Sequence, residues 1–244
     1  MVELNLQLLT GIDLETKIEG IILSKLPYKE RHLICNLLLR SGKKISVIFY
    51  GGRGGGKKHK STVLELGRML RVELKQSSKQ RDLYSAKEWT LLWSHERIRS
   101  NHNAFYLMCF YLELLSKISQ VEIMDGHSKS FESCQEGNFR VLSNALVFLE
   151  DSLKDNLFQK EAALSIFMGK LLLEHGIFPH LSTCCLSDEA LTDHSDVALL
   201  PEEGGFAFSS LAQGDIARYY RSDNLGQELW KLLSFVKTKK TANN

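Results

Sequence analysis

From Lys17 onward, short apolar runs alternate with polar breaks. "KIEGIILSKL" (17–26), "RHLICNLLLR" (31–40) and "KKISVIFY" (43–50) are each of strand length and rich in Ile, Leu and Val. "PYKE" and the "SGK" around Gly42 interrupt them as turns. "STVLELGRMLRVELK" has the composition of a helix, but it divides at Gly67 into two strand-length pieces, and "MLRVELK" alternates apolar with charged residues. "LYSAKEWTLLW" (83–93) supplies a fifth strand. Five short strands joined by turns predict a small closed barrel over residues 17–94 rather than a βαβ arrangement.

After Ser94 the period changes. "AFYLMCFYLELLSKIS" is apolar without strand-like alternation, and Phe105, Met108, Cys109, Leu112 and Ser116 follow helical spacing. "NFRVLSNALVFLEDSL" and "FQKEAALSIFMGKLLLEHG" predict two more helices, the second stopping at Gly176. Residues 177–205 are irregular, and "SSLAQGDIARYYRSD" and "LGQELWKLLSFVKTK" predict two closing helices. The fold class is therefore α+β: a β-barrel followed by an α-helical domain over 95–244. The apolar stripes Phe105–Leu115 and Leu164–Leu173 are expected to be core.

Charge separates the same two regions. The net charge of the 244 residues is +2, yet residues 1–82 hold 16 Lys/Arg against 8 Asp/Glu, and the remainder holds 15 against 21. Between Lys43 and Arg81 there are 11 basic residues and two acids, Glu65 and Glu73. A basic barrel suits a polyanion, and an acidic helical domain suits protein partners. Five cysteines at irregular spacing give no disulfide framework, and no apolar run reaches the ~18 residues of a membrane span. The opening residues do not have the pattern of a secretory signal. A cytoplasmic setting without membrane attachment is expected.

The stretch "YGGRGGGKKHKS" (50–61) concentrates glycine and cation. Gly51, Gly56 and Lys57 match the core of a phosphate-cradling Walker A loop. That motif then needs Ser or Thr, and position 58 is Lys. It also needs a helix starting there, where Lys57, Lys58 and Lys60 would oppose the helix dipole. The acids available as a Walker B partner, Glu150 and Asp151, fall inside a helical pattern. A solvated hairpin without a role is the plain alternative. A basic hairpin on a barrel rim accounts for the loop and the domain charge together. On this reading Arg53, Lys57, Lys58 and Lys60, extended by Lys43, Lys44, Arg68, Arg71 and Lys75, neutralise a nucleic-acid backbone.

The order of these features resembles a known family. "EGIILSKLPYKERHLICNLLLRSGKKISVIFYGGR" is similar to the opening of the bacterial recombination mediator RecO. "LLLEHGIFPHLSTC" and "LLPEEGGFAF" resemble that family's later helix-Gly-x-x-Pro and Pro-Glu-x-Gly-Gly segments. The resemblance runs from Lys17 over most of the chain and rests on order and spacing. It implies an oligonucleotide-binding (OB) barrel and a helical domain, with residues 1–16 as an N-terminal extension. It implies a monomeric, nucleoid-associated DNA repair protein that binds single- and double-stranded DNA and anneals complementary strands. With RecR it would help load RecA onto DNA coated by single-strand-binding protein, with no catalysis and no cofactor. An OB-fold adaptor for RNA or protein, without annealing, is the alternative.

Two departures stand out. The family's Gln-Pro-Phe after the basic loop corresponds to Glu65, Leu66 and Gly67. Its two Cys-x-x-Cys pairs, which form a zinc site in many relatives, correspond to Cys184, Ser187, Phe208 and Leu211. The segment 177–212 is thus a degenerate zinc-finger-like region. Cys185, His175, His180 and His194 lie nearby in sequence, but adjacent cysteines rarely bind one tetrahedral ion together, so no metal is expected. A groove in the helical domain flanked by Arg140 or Lys170 is expected to accept an acidic-hydrophobic peptide, such as the C-terminal tail of single-strand-binding protein.

Overall fold

The structure, a computed structural model, describes residues 16–52, 63–75, 83–122, 137–192, 196–212 and 225–238. The strands are β1 (Lys17–Tyr28), β2 (His32–Leu39), β3 (Lys44–Phe49), β4 (Met69–Leu74) and β5 (Leu83–Trp93). They close in the order β1-β2-β3-β5-β4, and every neighbouring pair is antiparallel except β3 with β5. This is the expected OB-type barrel. Of the two pieces flanking Gly67, only the second is a strand; Val63–Gly67 turns into β4.

Alternation builds the core. Leu33, Cys35, Leu37 and Leu39 of β2 point inward with Ile45, Val47 and Phe49 of β3 and Leu70, Val72 and Leu74 of β4. Burial pushes the Cys35 thiol up to about 12, so it behaves as an inert small hydrophobe. β1 serves two neighbours. Its first half pairs with β4 and its second with β2, and a register shift between Ile22 and Ser24 bends it round the barrel corner. Gly20 lies where both partners meet β1, and a Cβ there would stand 2.9 Å from the Leu38 carbonyl oxygen.

The helices are α1 (Glu96–Ser100), α2 (His102–Ile118), α3 (Gly137–Lys154) and α4 (Lys160–Glu174). The Asn101 side chain caps α2 by accepting from the Ala104 N–H at 3.0 Å. α2 packs against β1 and α1, burying Ala104, Leu107, Met108, Tyr111, Leu112 and Leu115. That face is rotated from the expected stripe: Phe105 and Cys109 are only half-buried. Two strands follow, β6 (Val197–Leu200) and β7 (Gly205–Phe208), paired as a hairpin across Pro201–Gly204. The last described helix is α5 (Leu225–Thr238). Most of the other expected closing helix, 209–223, lies outside the described residues, as does residue 15 and all before it.

The chain forms two compact units, residues 1–146 and 147–244, with the division inside α3. The second unit has its own core of Leu181, Cys184, Leu191, Val197, Phe206, Ala207 and Leu233. Among the described residues, no helix is long and apolar enough to cross a membrane.

Candidate nucleic-acid interface

Arg53, Lys57, Lys58 and Lys60 lie outside the described residues, but the base of their loop is defined. β3 ends at Phe49, and Gly51 follows with φ 75°, a left-handed conformation that costs a side-chain-bearing residue about 1–2 kcal/mol. The Gly52 N–H donates to the Phe49 carbonyl at 3.2 Å. The next described residues, from Val63, turn into β4 rather than forming an α-helix, and Glu150 and Asp151 lie within α3.

The other five expected DNA contacts occupy distinct settings. Lys75 is exposed at the end of β4. Arg71 is exposed but bonded to Glu19, with Nη2 at 2.7 Å and Nε at 3.0 Å from Oε1, while Arg40 Nε holds Oε2 at 2.6 Å. Burial pushes the Glu19 carboxyl up, but hydrogen bonds from Arg71 and then Arg40 outweigh it and hold the group below its ordinary value. Lys43 pairs with Glu122 at 3.4 Å. The Lys44 ammonium turns to the Ser116 carbonyl at the C-terminal end of α2. Arg68 is half-buried, with its Nε fully enclosed. Basic count alone therefore overstates the positive charge facing solvent.

Around the loop base the structure gathers groups that sequence reasoning passed over. β1 and β2 pair Tyr28 with His32, and β2 and β3 pair Leu33 with Phe49, which sets Tyr50 beside His32 on the outer face. The His32 and Tyr50 rings meet edge to face with centroids 4.9 Å apart. The Gly51 N–H donates to His32 Nδ1 at 3.1 Å and orients the imidazole. Lys75 Nζ stands 5.2 Å from the Tyr50 ring centroid, and Lys29 Nζ 5.4 Å from that of Tyr28. Each aromatic residue sits beside a turn, which is the one signal visible in the sequence.

Residues 14–95, which span this barrel, match the family model for the recombination protein O N-terminal domain. That segment is similar to the N-terminal domain of RecO proteins. Over 176 residues the chain is 28% identical to the DNA repair protein RecO of Chlorobium phaeobacteroides, a match spanning 72% of this chain and 61% of that relative. Among solved structures it overlaps asparaginyl-tRNA synthetase of Entamoeba histolytica, in complex with asparaginyl-adenylate, at a TM-score of 0.26 and 11% identity. That overlap covers 67% of this chain and 33% of the synthetase, and it is too slight to bear on fold or activity.

The zinc-type positions of the RecO pattern come together in the second unit, but with the wrong donors. Burial pushes the Cys184 thiol up; hydrogen bonds from the Ser187 hydroxyl and from the N–H groups of Leu186, Phe208 and Ser187 outweigh that and bring it below its ordinary value. Phe208 and Leu211 contribute hydrocarbon. The His180–Gly205 bridge fastens the loop to the β6–β7 hairpin, and the Thr183–Ala190 bridge closes the loop on itself. One cysteine sulfur among a hydroxyl and two apolar side chains does not fit tetrahedral zinc. Among the described residues, no group of three His, Cys, Asp or Glu is placed to hold an ion; His194 lies outside them.

The two residues expected to flank a peptide groove belong to different units: Arg140 to the first, Lys170 to the second. The Lys170 ammonium donates to the Val236 carbonyl of α5 at 3.1 Å. The second unit does have an apolar groove of about 580 Å³, lined by Leu164, Met168, Leu172, Ile177, Leu229 and Leu232 among others; Lys170 is not part of its wall.

Proposed function

We propose that this chain is a non-enzymatic mediator of recombinational DNA repair. Its barrel binds single- and double-stranded DNA through the basic rim loop, and the chain anneals complementary strands. The observation that carries this reading is the match of residues 14–95 to the RecO N-terminal domain on a closed five-stranded barrel. The basic loop sequence after β3 adds to it, since cations on a glycine-rich backbone release counterions from phosphates. Lys43, Arg53, Lys57, Lys58, Lys60, Arg68, Arg71 and Lys75 are the candidate contacts, with Lys75 exposed at the end of β4, whereas Lys44 is engaged by the Ser116 carbonyl. In this reading residues 17–94 hold DNA, and residues 95–244 hold the partners RecR and the acidic tail of single-strand-binding protein, with RecA engaged indirectly. Arg140 in the first unit or, alternatively, Lys170 in the second is the candidate cation for that tail. The chain acts as a monomer and needs no cofactor.

The test is annealing of complementary strands coated with single-strand-binding protein. The full chain accelerates it, and the quadruple variant R53A/K57A/K58A/K60A slows it. Removing each cation that neutralises a phosphate lowers the salt slope of single-strand binding by about 0.7. An unchanged slope in that variant would reduce the loop to a solvated hairpin. Salt-insensitive binding by the wild type would favour an adaptor for protein instead.

A further inference from the structure

We propose that Tyr50 is a stacking platform for an unpaired nucleic-acid base, with Lys75 placed to meet the neighbouring phosphate and Tyr28–Lys29 repeating the same aromatic–cation pair two strands away. The inference rests on the DNA-binding reading above and names the residues that would favour a single strand over a duplex.

Three observations carry it. Tyr50 is 48% exposed, which leaves part of its ring open to a stacking partner. The ring is nevertheless held: His32 packs against it edge to face at 4.9 Å, and Gly51 N–H fixes His32 in turn at 3.1 Å. A ring already immobilised loses little further entropy when a base stacks on it. The third observation is charge. Lys75 and Lys29 each stand beside an exposed tyrosine, at 5.2 and 5.4 Å from the ring centroids. Their flexible stems allow either ammonium to leave the ring for a phosphate.

Position in the barrel agrees. Strands 2 and 3 and the loop between strands 1 and 2 form the oligonucleotide-binding face of OB folds. Tyr28, His32 and Tyr50 form a row across β1, β2 and β3 on the outer surface, beside the turn Lys29–Arg31. Neighbouring strands are about 4.8 Å apart, so the two tyrosines are spaced by two such steps, or about 10 Å. Bases paired in a duplex have their faces covered by their neighbours, whereas a single strand can offer its bases to such a row.

The experiment compares the full-length wild type with Tyr50→Ala, Tyr50→Leu and Tyr50→Phe. Affinity is measured for oligo(dT) and for a duplex of equal length, each over a range of salt. Tyr50→Ala and Tyr50→Leu are expected to weaken oligo(dT) binding by about 5- to 150-fold, the equivalent of the 1–3 kcal/mol of one base–aromatic stack. Duplex affinity and the salt slope stay as in the wild type, and Tyr50→Phe retains binding. Lys75→Ala instead lowers the single-strand slope by about 0.7. A half-exposed ring is not part of the barrel core, and matching thermal unfolding of each variant confirms an intact fold. If the wild type binds DNA with normal salt dependence and Tyr50→Ala binds oligo(dT) equally well, the platform is overturned while the DNA-binding reading stands. Equal losses on oligo(dT) and duplex also overturn it. If the wild type binds neither, both fall.

Discussion

Arg71 and Glu19 face each other across the β1–β4 seam, the guanidinium giving the carboxylate two hydrogen bonds at 2.7 and 3.0 Å. Glu19 thus restrains a cation that sequence alone would assign to DNA, and with Arg40 on its other oxygen it ties β4, β1 and the end of β2 together.

Glu19→Gln is expected to alter both stability and binding. The folded carboxyl titrates below its ordinary value, so its contribution is fully present above the unfolded range, about pH 4.3, and is lost as pH falls through the lower folded value. Urea unfolding across this acid range will show a steeper loss in the wild type than in the variant. At neutral pH, Arg71 and Arg40 become free to reach phosphates, and the salt slope of DNA binding steepens by up to about 0.9 for each phosphate they newly neutralise.

Lys44→Met is expected to act on the fold rather than on DNA. The lysine satisfies the Ser116 carbonyl in the last turn of α2, where a cation also suits the helix dipole. The variant loses about 1 kcal/mol in denaturant unfolding and keeps the wild-type salt slope. A slope lowered like that of Lys75→Ala would place Lys44 on the DNA after all.

Cys184→Ala removes the acceptor of the Leu186, Ser187 and Phe208 N–H groups inside the second unit. Loss of these hydrogen bonds, with Leu186 and Ser187 exposed, costs about 1 kcal/mol of stability. Trp230 fluorescence is a suitable probe, because its indole N–H donates to the Leu181 carbonyl in the same core at 2.9 Å.

Elemental analysis of the dialysed protein should find well under one zinc per chain. Stoichiometric zinc that survives dialysis would contradict the mismatch of Ser187, Phe208 and Leu211 as ligands. His180 and Cys185 would then be the first residues to substitute.

The barrel strands were legible in the sequence because one face of each is buried and the other is not. "MLRVELK" shows that alternation directly, and β4 occupies Met69–Leu74. The buried face of α2 was less legible. Its sequence is apolar almost all round, so helical period did not single out Leu107 and Tyr111 over Phe105 and Cys109. Charge counting missed the ion pairs because their members are remote: Arg71 and Glu19 are 52 positions apart, and Lys43 and Glu122 are 79 apart. The Tyr28–His32–Tyr50 row arises from strand register, which turn residues alone do not fix.

The strand order has a consequence for synthesis of the chain. β5 is last in sequence among the barrel strands but lies between β3 and β4 in space. A nascent chain that has emerged only as far as Lys75 has two unsealed edges, one on β3 and one on β4, each with backbone groups awaiting partners. Neither edge closes until Leu83–Trp93 leaves the ribosome and slots between them. Folding of the barrel on the ribosome is therefore late and all-or-none, and a pause in translation before Trp93 prolongs its most aggregation-prone state.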